Sequence, residues 1–300
     1  MLGLAASAAP AAWAGASLPA TTNGGTAYGV KVPAKKPVRK PAAVNKRPLL
    51  AKFRVAPLIL RPGATPSVTF RVDGRTAQVR LRLVVTWPGT ANPRRMVALG
   101  RQTTAEDHTV DLTTLADPAL PEGVVSVRIT GRDTAGRLLR PGAHLSRVQQ
   151  IEVRAHVFPL QGTFSYGDAG ARFGAQRDGH THQGQDLFAA AGTPAVAVRS
   201  GTIDYVEYQA DGAGYYVVLS ADGEDYDYAY MHLKEGSIQV VQGQHVAARQ
   251  QLAGVGHTGD AIGDHLHFEV WQGAWYDGGH VVDPLPFLQQ WQAWSPVSAT

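Results

Sequence analysis

Apolar and polar residues alternate over short runs through most of the chain beyond residue 48. Ser67-Val68-Thr69-Phe70-Arg71-Val72 is followed by Asp73-Gly74 and then by the alternating run Ala77 to Val85. Gly123 to Ile129 repeats the pattern, and Pro62-Gly63, Pro88-Gly89 and Pro121-Glu122-Gly123 supply turn signals between runs. A period of two marks half-buried strands, and short strands at this spacing predict a β-sandwich of about 100 residues over 49–155. From 156 to 291 the chain is again strand-rich, with runs at Ala195–Val198, Thr202–Val206, Tyr215–Leu219 and Asp227–Met231 punctuated by glycines. A short helix is expected over Pro286–Trp294, and 292–300 reads as a tail. In Gly263-Asp264-His265-Leu266-His267-Phe268-Glu269-Val270 the apolar residues alternate, which predicts a half-buried strand with His265, His267 and Glu269 on its other face.

Composition narrows the classes. The chain has 300 residues, 44% hydrophobic and 17% charged, so a soluble fold of about two domains is expected. Residues 1–20 are Ala-rich and weakly apolar, which reads as the later part of an export signal or as a disordered terminus; we take the first. Residues 21–48 place Pro33, Pro37, Pro41 and Pro48 among lysines and arginines, the composition of a semi-rigid spacer. It is read as a solvated linker, with tethering to an anionic surface as the functional alternative. A net charge of +4 is too mild for a nucleic-acid signature, and no apolar run is long enough for a membrane span. With no cysteine, disulfides, thiol nucleophiles and thiolate zinc sites are excluded, so a metal would be held by His, Asp or Glu.

Three stretches carry candidate chemistry. His182-Gln183-Gly184-Gln185-Asp186 spaces a histidine and a carboxylate four apart, and Gly184 with Asp186-Leu187-Phe188 argues for a turn feeding a strand. Such a turn either hydrogen-bonds internally or aims both groups at one point. Together with one strand histidine they make three protein ligands, which for zinc leaves the fourth position open, the catalytic pattern. His232 ends the aromatic run Tyr228-Ala229-Tyr230-Met231. The pair His265 and His267 is weak on its own, since His180-Thr181-His182 is another of the same kind. Glu269 either orients a ligand or faces solvent, and Tyr228 and Tyr230 either line a groove or pack. His108, His144, His156, His180, His245, His257 and His280 are read as bystanders.

Taken in order, His182-xxx-Asp186, Tyr230-Met231-His232-Leu233, Gly256-His257-Thr258-Gly259 and His265-Leu266-His267 resemble the lysostaphin-type zinc metallopeptidases, a cell-wall endopeptidase family. The resemblance runs from about Pro159 to Leu288 and includes Gly192-Thr193-Pro194 and Gly243-Gln244-His245-Val246. It implies an all-β chain with an antiparallel-sheet peptidase domain over 156–291. It also implies Zn2+ on His182, Asp186 and His267, with His232 and His265 as the two active-site histidines that do not bind it. A zinc-bound water has a pKa of about 7, and a histidine near 6.5 can accept its proton and pass it to the leaving amine. The second histidine would stabilise the oxyanion, and either can fill either role. The implied activity is hydrolysis of peptide bonds in peptidoglycan, outside the cell or in its envelope. The alternatives are a non-catalytic peptidoglycan-binding scaffold that activates another wall hydrolase, or a polyanion binder led by the basic spacer. Residues 49–155 resemble the immunoglobulin-like domains of bacterial extracellular proteins.

Overall fold

The computed structural model describes residues 47–87, 94–112 and 122–295. The expected export signal, nearly all of the spacer, the Pro88-Gly89 turn and residues 296–300 lie outside them. The first nine strands are β1 (Leu49–Ala56), β2 (Ile59–Leu60), β3 (Ser67–Asp73), β4 (Gln78–Thr86), β5 (Arg94–Thr103), β6 (Asp107–Asp111), β7 (Gly123–Asp133), β8 (Arg140–Pro141) and β9 (Val148–Val153). They form a four-stranded sheet in the order β6-β3-β1-β8 and a five-stranded sheet in the order β2-β9-β7-β4-β5. The alternation dictates how these sheets meet. Phe53, Val68 and Phe70 from one sheet and Leu81, Leu83, Val127 and Ile129 from the other share one buried cluster, so two layers close over one core.

The remaining strands are β10 (Gln185–Phe188), β11 (Pro194–Val196), β12 (Gly201–Gln209), β13 (Gly214–Ala221), β14 (Tyr226–Leu233), β15 (His245–Val246), β16 (Gln251–Gly254), β17 (His265–Gln272) and β18 (His280–Val282), before helix α1 (Leu285–Trp294). A seven-stranded sheet runs β10-β17-β14-β13-β12-β15, with β18 paired to β17, and every pairing in it is antiparallel. One face of this sheet carries the core. Leu187, Tyr228, Tyr230, Leu266 and Phe268 pack there with Val198, Leu288 and Trp291. Tyr228 and Tyr230 are therefore packing residues and not groove residues. The Tyr230 hydroxyl accepts the Val198 N–H at 2.9 Å, satisfying a polar atom that burial would otherwise leave without a partner.

β17 departs from the expected half-buried strand: every residue from His265 to Trp271 is buried. It lies between β10 and β14, and the polar face is walled in by loops and neighbouring side chains. Alternation reveals which residues share a face but not what covers that face.

The sandwich and the second sheet meet at His156. Its ring is 5% exposed, stacks on Trp291 with centroids 4.8 Å apart, and lies 2.9 Å from Glu122 and 2.8 Å from Glu224. The Tyr228 hydroxyl also donates to Glu224, and Arg199 lies 3.4 Å from the same carboxylate. Burial opposes the imidazolium, but the two carboxylates outweigh it and hold the His156 pKa above its usual value. Burial likewise raises Glu224, and the His156 contact outweighs it, so that pKa is lowered. The histidine's contribution is complete below its unfolded pKa of about 6.5 and is lost as pH climbs through the raised folded value. That of Glu224 is present above about pH 4.3 and is lost as pH falls. Thermal unfolding followed across pH should therefore give the highest midpoint at about pH 5–6.5 and a decline above it. His156→Ala should shrink that alkaline decline to the part contributed by His267, whose pKa is raised to about 9, and lower stability by about 3 kcal/mol.

Candidate metal centre and groove

Antiparallel register brings the candidate ligands together. Asp186 on β10 is the cross-strand partner of His267 on β17, so their side chains rise from the same face as neighbours. His182 sits one turn earlier, in the segment feeding β10. His182 Nε2 lies 3.0 Å from Asp186 Oδ1 and 2.9 Å from His267 Nδ1, and His267 Nδ1 lies 3.0 Å from Asp186 Oδ1. This is a nearly equilateral triangle of donor atoms, all on buried residues, and it could hold a metal ion. Three ligand atoms of a tetrahedral zinc at about 2.0–2.1 Å stand roughly 3.3 Å apart, so the triangle fits with shifts of a few tenths of an ångström. Two imidazoles and a carboxylate also suit zinc chemically.

Each ring is held by its outer nitrogen. His182 Nδ1 is 2.8 Å from the Arg172 carbonyl, His232 Nδ1 2.8 Å from the Thr258 carbonyl, and His265 Nδ1 3.0 Å from the Gly263 carbonyl. His267 is turned the other way, with Nε2 3.2 Å from Glu269 Oε1. A carbonyl or carboxylate accepts only from N–H, so each contact places an N–H on the outer nitrogen and turns the inner one toward the centre. The arrangement thus presets four imidazoles toward one centre. The rings of His232 and His265 are 4.8 Å apart, and His265 Nε2 lies 3.7 Å from Asp186 Oδ1, beyond bonding range. All five sequence candidates converge, and the two outside the triangle sit beside it.

The electrostatics follow from burial and these contacts. Burial raises the Asp186 pKa, but hydrogen bonds with His182 and His267 dominate and hold it well below the usual carboxylate range. Burial pushes His267 down, yet Asp186 and Glu269 together carry it up to about 9. His232 is lowered to about 4 by burial and by the neighbouring His267 and His265, so it stays neutral at physiological pH.

His232 reaches the centre through a local irregularity. Between the pairs Val217↔Tyr230 and Tyr215↔Leu233, two residues of β14 face one of β13, a β-bulge at Met231 and His232. His232 has φ +60°, the left-handed region, a sparsely populated conformation for a histidine. Strict alternation would have turned it into the core beside Tyr228 and Tyr230. Gly214, at φ +63°, lets the chain pass against Thr258, whose carbonyl holds His232; a Cβ there would collide with that carbonyl. Gly214→Ala should push the carbonyl away and lower activity at least tenfold without removing a ligand, as read by rate and bound metal side by side.

Several contributors were not singled out from sequence. Arg177 donates to Asp186 Oδ2 at 3.0 Å, turning Oδ1 toward the histidines. Glu269 is 2% exposed, and its Oε2 accepts the indole N–H of Trp271 at 2.7 Å and of Trp275 at 3.3 Å. Burial thus excludes the solvent-facing reading of Glu269 and sets its carboxylate against His267. Glu269→Gln would set an NH2 against an N–H donor on one side or the other. Metal affinity should fall about 10–100-fold, measured by chelator competition. No local motif points to Arg177, Trp271 or Trp275, because each acts through a contact formed only in the fold. His180, His245, His257 and His280 are exposed, and His257 pairs with Asp264 at 2.6 Å.

The centre lies in a groove of about 960 Å³. Tyr208, Tyr216, Trp275 and Tyr276 form apolar wall, and Glu207 and Asp211 add carboxylates. Glu207 accepts the Tyr216 hydroxyl at 2.7 Å, which fixes that wall.

Residues 180–284 match the family model described as Peptidase family M23. The chain carries an M23 peptidase domain. An uncharacterized metalloprotease of Haemophilus influenzae is 39% identical over 104 residues, 35% of this chain and 20% of that protein. Lysostaphin of Staphylococcus simulans is 32% identical over 112 residues, 37% of this chain and 22% of that protein. The glycyl-glycine endopeptidase ALE-1 of Staphylococcus capitis is 31% identical over 112 residues, 37% of this chain and 30% of that protein. The matches thus span a fifth to a third of these relatives' length. A solved lysostaphin catalytic domain from Staphylococcus simulans aligns with 43% of this chain and 90% of its own at 30% identity and a TM-score of 0.34.

Proposed function

We propose that the chain is a zinc-dependent endopeptidase acting on peptide bonds of peptidoglycan stems or cross-bridges, outside the cell or in its envelope. The triangle of His182, Asp186 and His267, with two further histidines held beside it, carries the reading. The names lysostaphin and glycyl-glycine endopeptidase among the relatives support the substrate class. We also propose that residues 21–48 act as a spacer and 49–155 as an immunoglobulin-like module preceding the peptidase domain.

In this reading His182, Asp186 and His267 hold the ion. When bound, zinc supplies Lewis acidity and renders a water acidic near neutral pH. His232 and His265 present their inner nitrogens to the reacting atoms. One accepts the proton of the attacking water and delivers it to the leaving amine, and the other, protonated there, donates a hydrogen bond to the oxyanion. The aromatic wall holds the peptide extended beside them and excludes water. No helix among the described residues is long and apolar enough to cross a membrane.

The test is mass spectrometry of purified peptidoglycan after digestion with the zinc-loaded protein. New amine and carboxyl ends at one peptide bond support the proposal and name the bond. No new ends, with one zinc bound per chain, would overturn it in favour of a non-catalytic scaffold.

A further inference from the structure

The outer face of the five-stranded sheet in the sandwich is an array of arginines. Arg101 on β5, Arg80 on β4 and Arg132 on β7 are direct cross-strand partners, in a row over three adjacent strands. Arg82 and Arg128 follow on the same face of β4 and β7, and Arg94 lies opposite Thr86 at the far end of β5; all are exposed. The acid that these strands present there is Glu152, and Arg154 already holds it at 2.8 Å. Among the described residues no carboxylate pairs with Arg80, Arg82, Arg101 or Arg128. Arg132 donates to the Gly136 carbonyl, which leaves its charge in place.

The other sheet of the sandwich is built differently. On its outer face Lys52 pairs with Asp107 at 2.8 Å and Arg71 with Asp73 at 3.0 Å, so cations and acids alternate. Solubility needs only that mixed pattern, and like charges set directly opposite one another in a sheet are destabilising. A face that keeps one sign therefore calls for a partner that neutralises it.

The chemistry of the array defines that partner. Guanidinium forks match phosphate oxygens bidentately. Strands about 4.8 Å apart, with same-face residues about 6.8 Å apart along each, make a flat lattice of cation sites and no cavity. A lattice suits repeated charges on a flexible chain rather than a single ion. Single-stranded nucleic acids are gripped by aromatic side chains that stack on bases, and among the described residues the strands present no aromatic side chain on this face. We propose that the face binds a flexible, base-free polyanion through successive phosphates. Chemically this is the polyanion reading first drawn from the basic spacer, relocated to the folded sheet.

The experiment uses the full-length chain and inorganic polyphosphate as probe, with binding followed by fluorescence anisotropy as salt is raised. Arg80→Gln, Arg101→Gln and Arg132→Gln combined should weaken binding at least tenfold and flatten the salt dependence by about two units of slope. Unchanged circular dichroism and melting would show the sandwich intact. Lys52→Gln with Arg54→Gln, on the other sheet, and Lys35→Gln, Lys36→Gln and Lys40→Gln, in the spacer, should each bind as the parent does. Binding by the triple arginine variant equal to the parent's, or loss confined to the spacer variant, overturns the proposal. So does tighter binding to phosphatidylglycerol vesicles or single-stranded DNA than to polyphosphate, which would make the partner a membrane or a nucleic acid.

Discussion

Replacing His232 with alanine is expected to lower peptide hydrolysis about 10²–10⁴-fold while one metal ion per chain remains bound. The ring is outside the donor triangle, at 5.8 Å between centroids from His267, so its removal takes no ligand away. What disappears is an imidazole held neutral by burial and the neighbouring histidines, pinned to the Thr258 carbonyl and aimed at the space beside the ligands. The loss should fall on kcat, because the substrate's hold on the aromatic wall is untouched. His265→Ala should behave alike, since its ring is pinned in the same way to Gly263. Metal content measured together with rate decides the matter: full metal with the parent's rate would remove His232 from the chemistry.

Local spacings made it legible that His182 and Asp186 could meet a histidine of the 265–267 strand, whereas the choice of His267 came from the family resemblance. A four-residue step from His182 to Asp186, and a two-residue step from His265 to His267, survive as geometry whenever the first is a turn into a strand and the second a strand. The β17 strand showed the limit of the same logic. Its alternation separated Leu266 and Phe268 from the histidines, yet both faces proved buried, because cover comes from distant segments. From its own residues His232 was visible only as the end of an aromatic strand, and its place at the site came from the family resemblance. The extra residue that swings it from the core side to the site side changes no pattern in the sequence, and neither do the tryptophans that hold Glu269. Tyr228 and Tyr230 were ambiguous for a related reason. Aromatic strand residues suit a groove and a core equally, and only the position of β14 between β13 and β17 decides which side faces the packing.

Removing Asp186 should have the opposite signature to removing His232. Its Oδ1 contacts both histidines proposed as ligands and its Oδ2 is held by Arg177, so Asp186→Ala deletes a proposed ligand and the triangle's only negative charge. Two imidazoles then remain, and the site loses the charge that makes a divalent cation welcome. Activity should fall below detection, at least about 10³-fold, and the cause should be visible without any substrate. At zinc 100-fold above its Kd, binding stabilises the parent by about 2.7 kcal/mol, a rise in melting temperature of roughly 5–10 °C for a unit of this size. Asp186→Ala should show no such rise, whereas His232→Ala should show all of it. The metal-free variant should also be less stable than the metal-free parent. Its buried His267, raised to about 9 chiefly against burial by Asp186 and Glu269, would lose the nearer of those partners. A zinc-dependent rise in melting temperature that persists in Asp186→Ala would mean that the ion is held elsewhere, and the triangle would then be a hydrogen-bonded cluster.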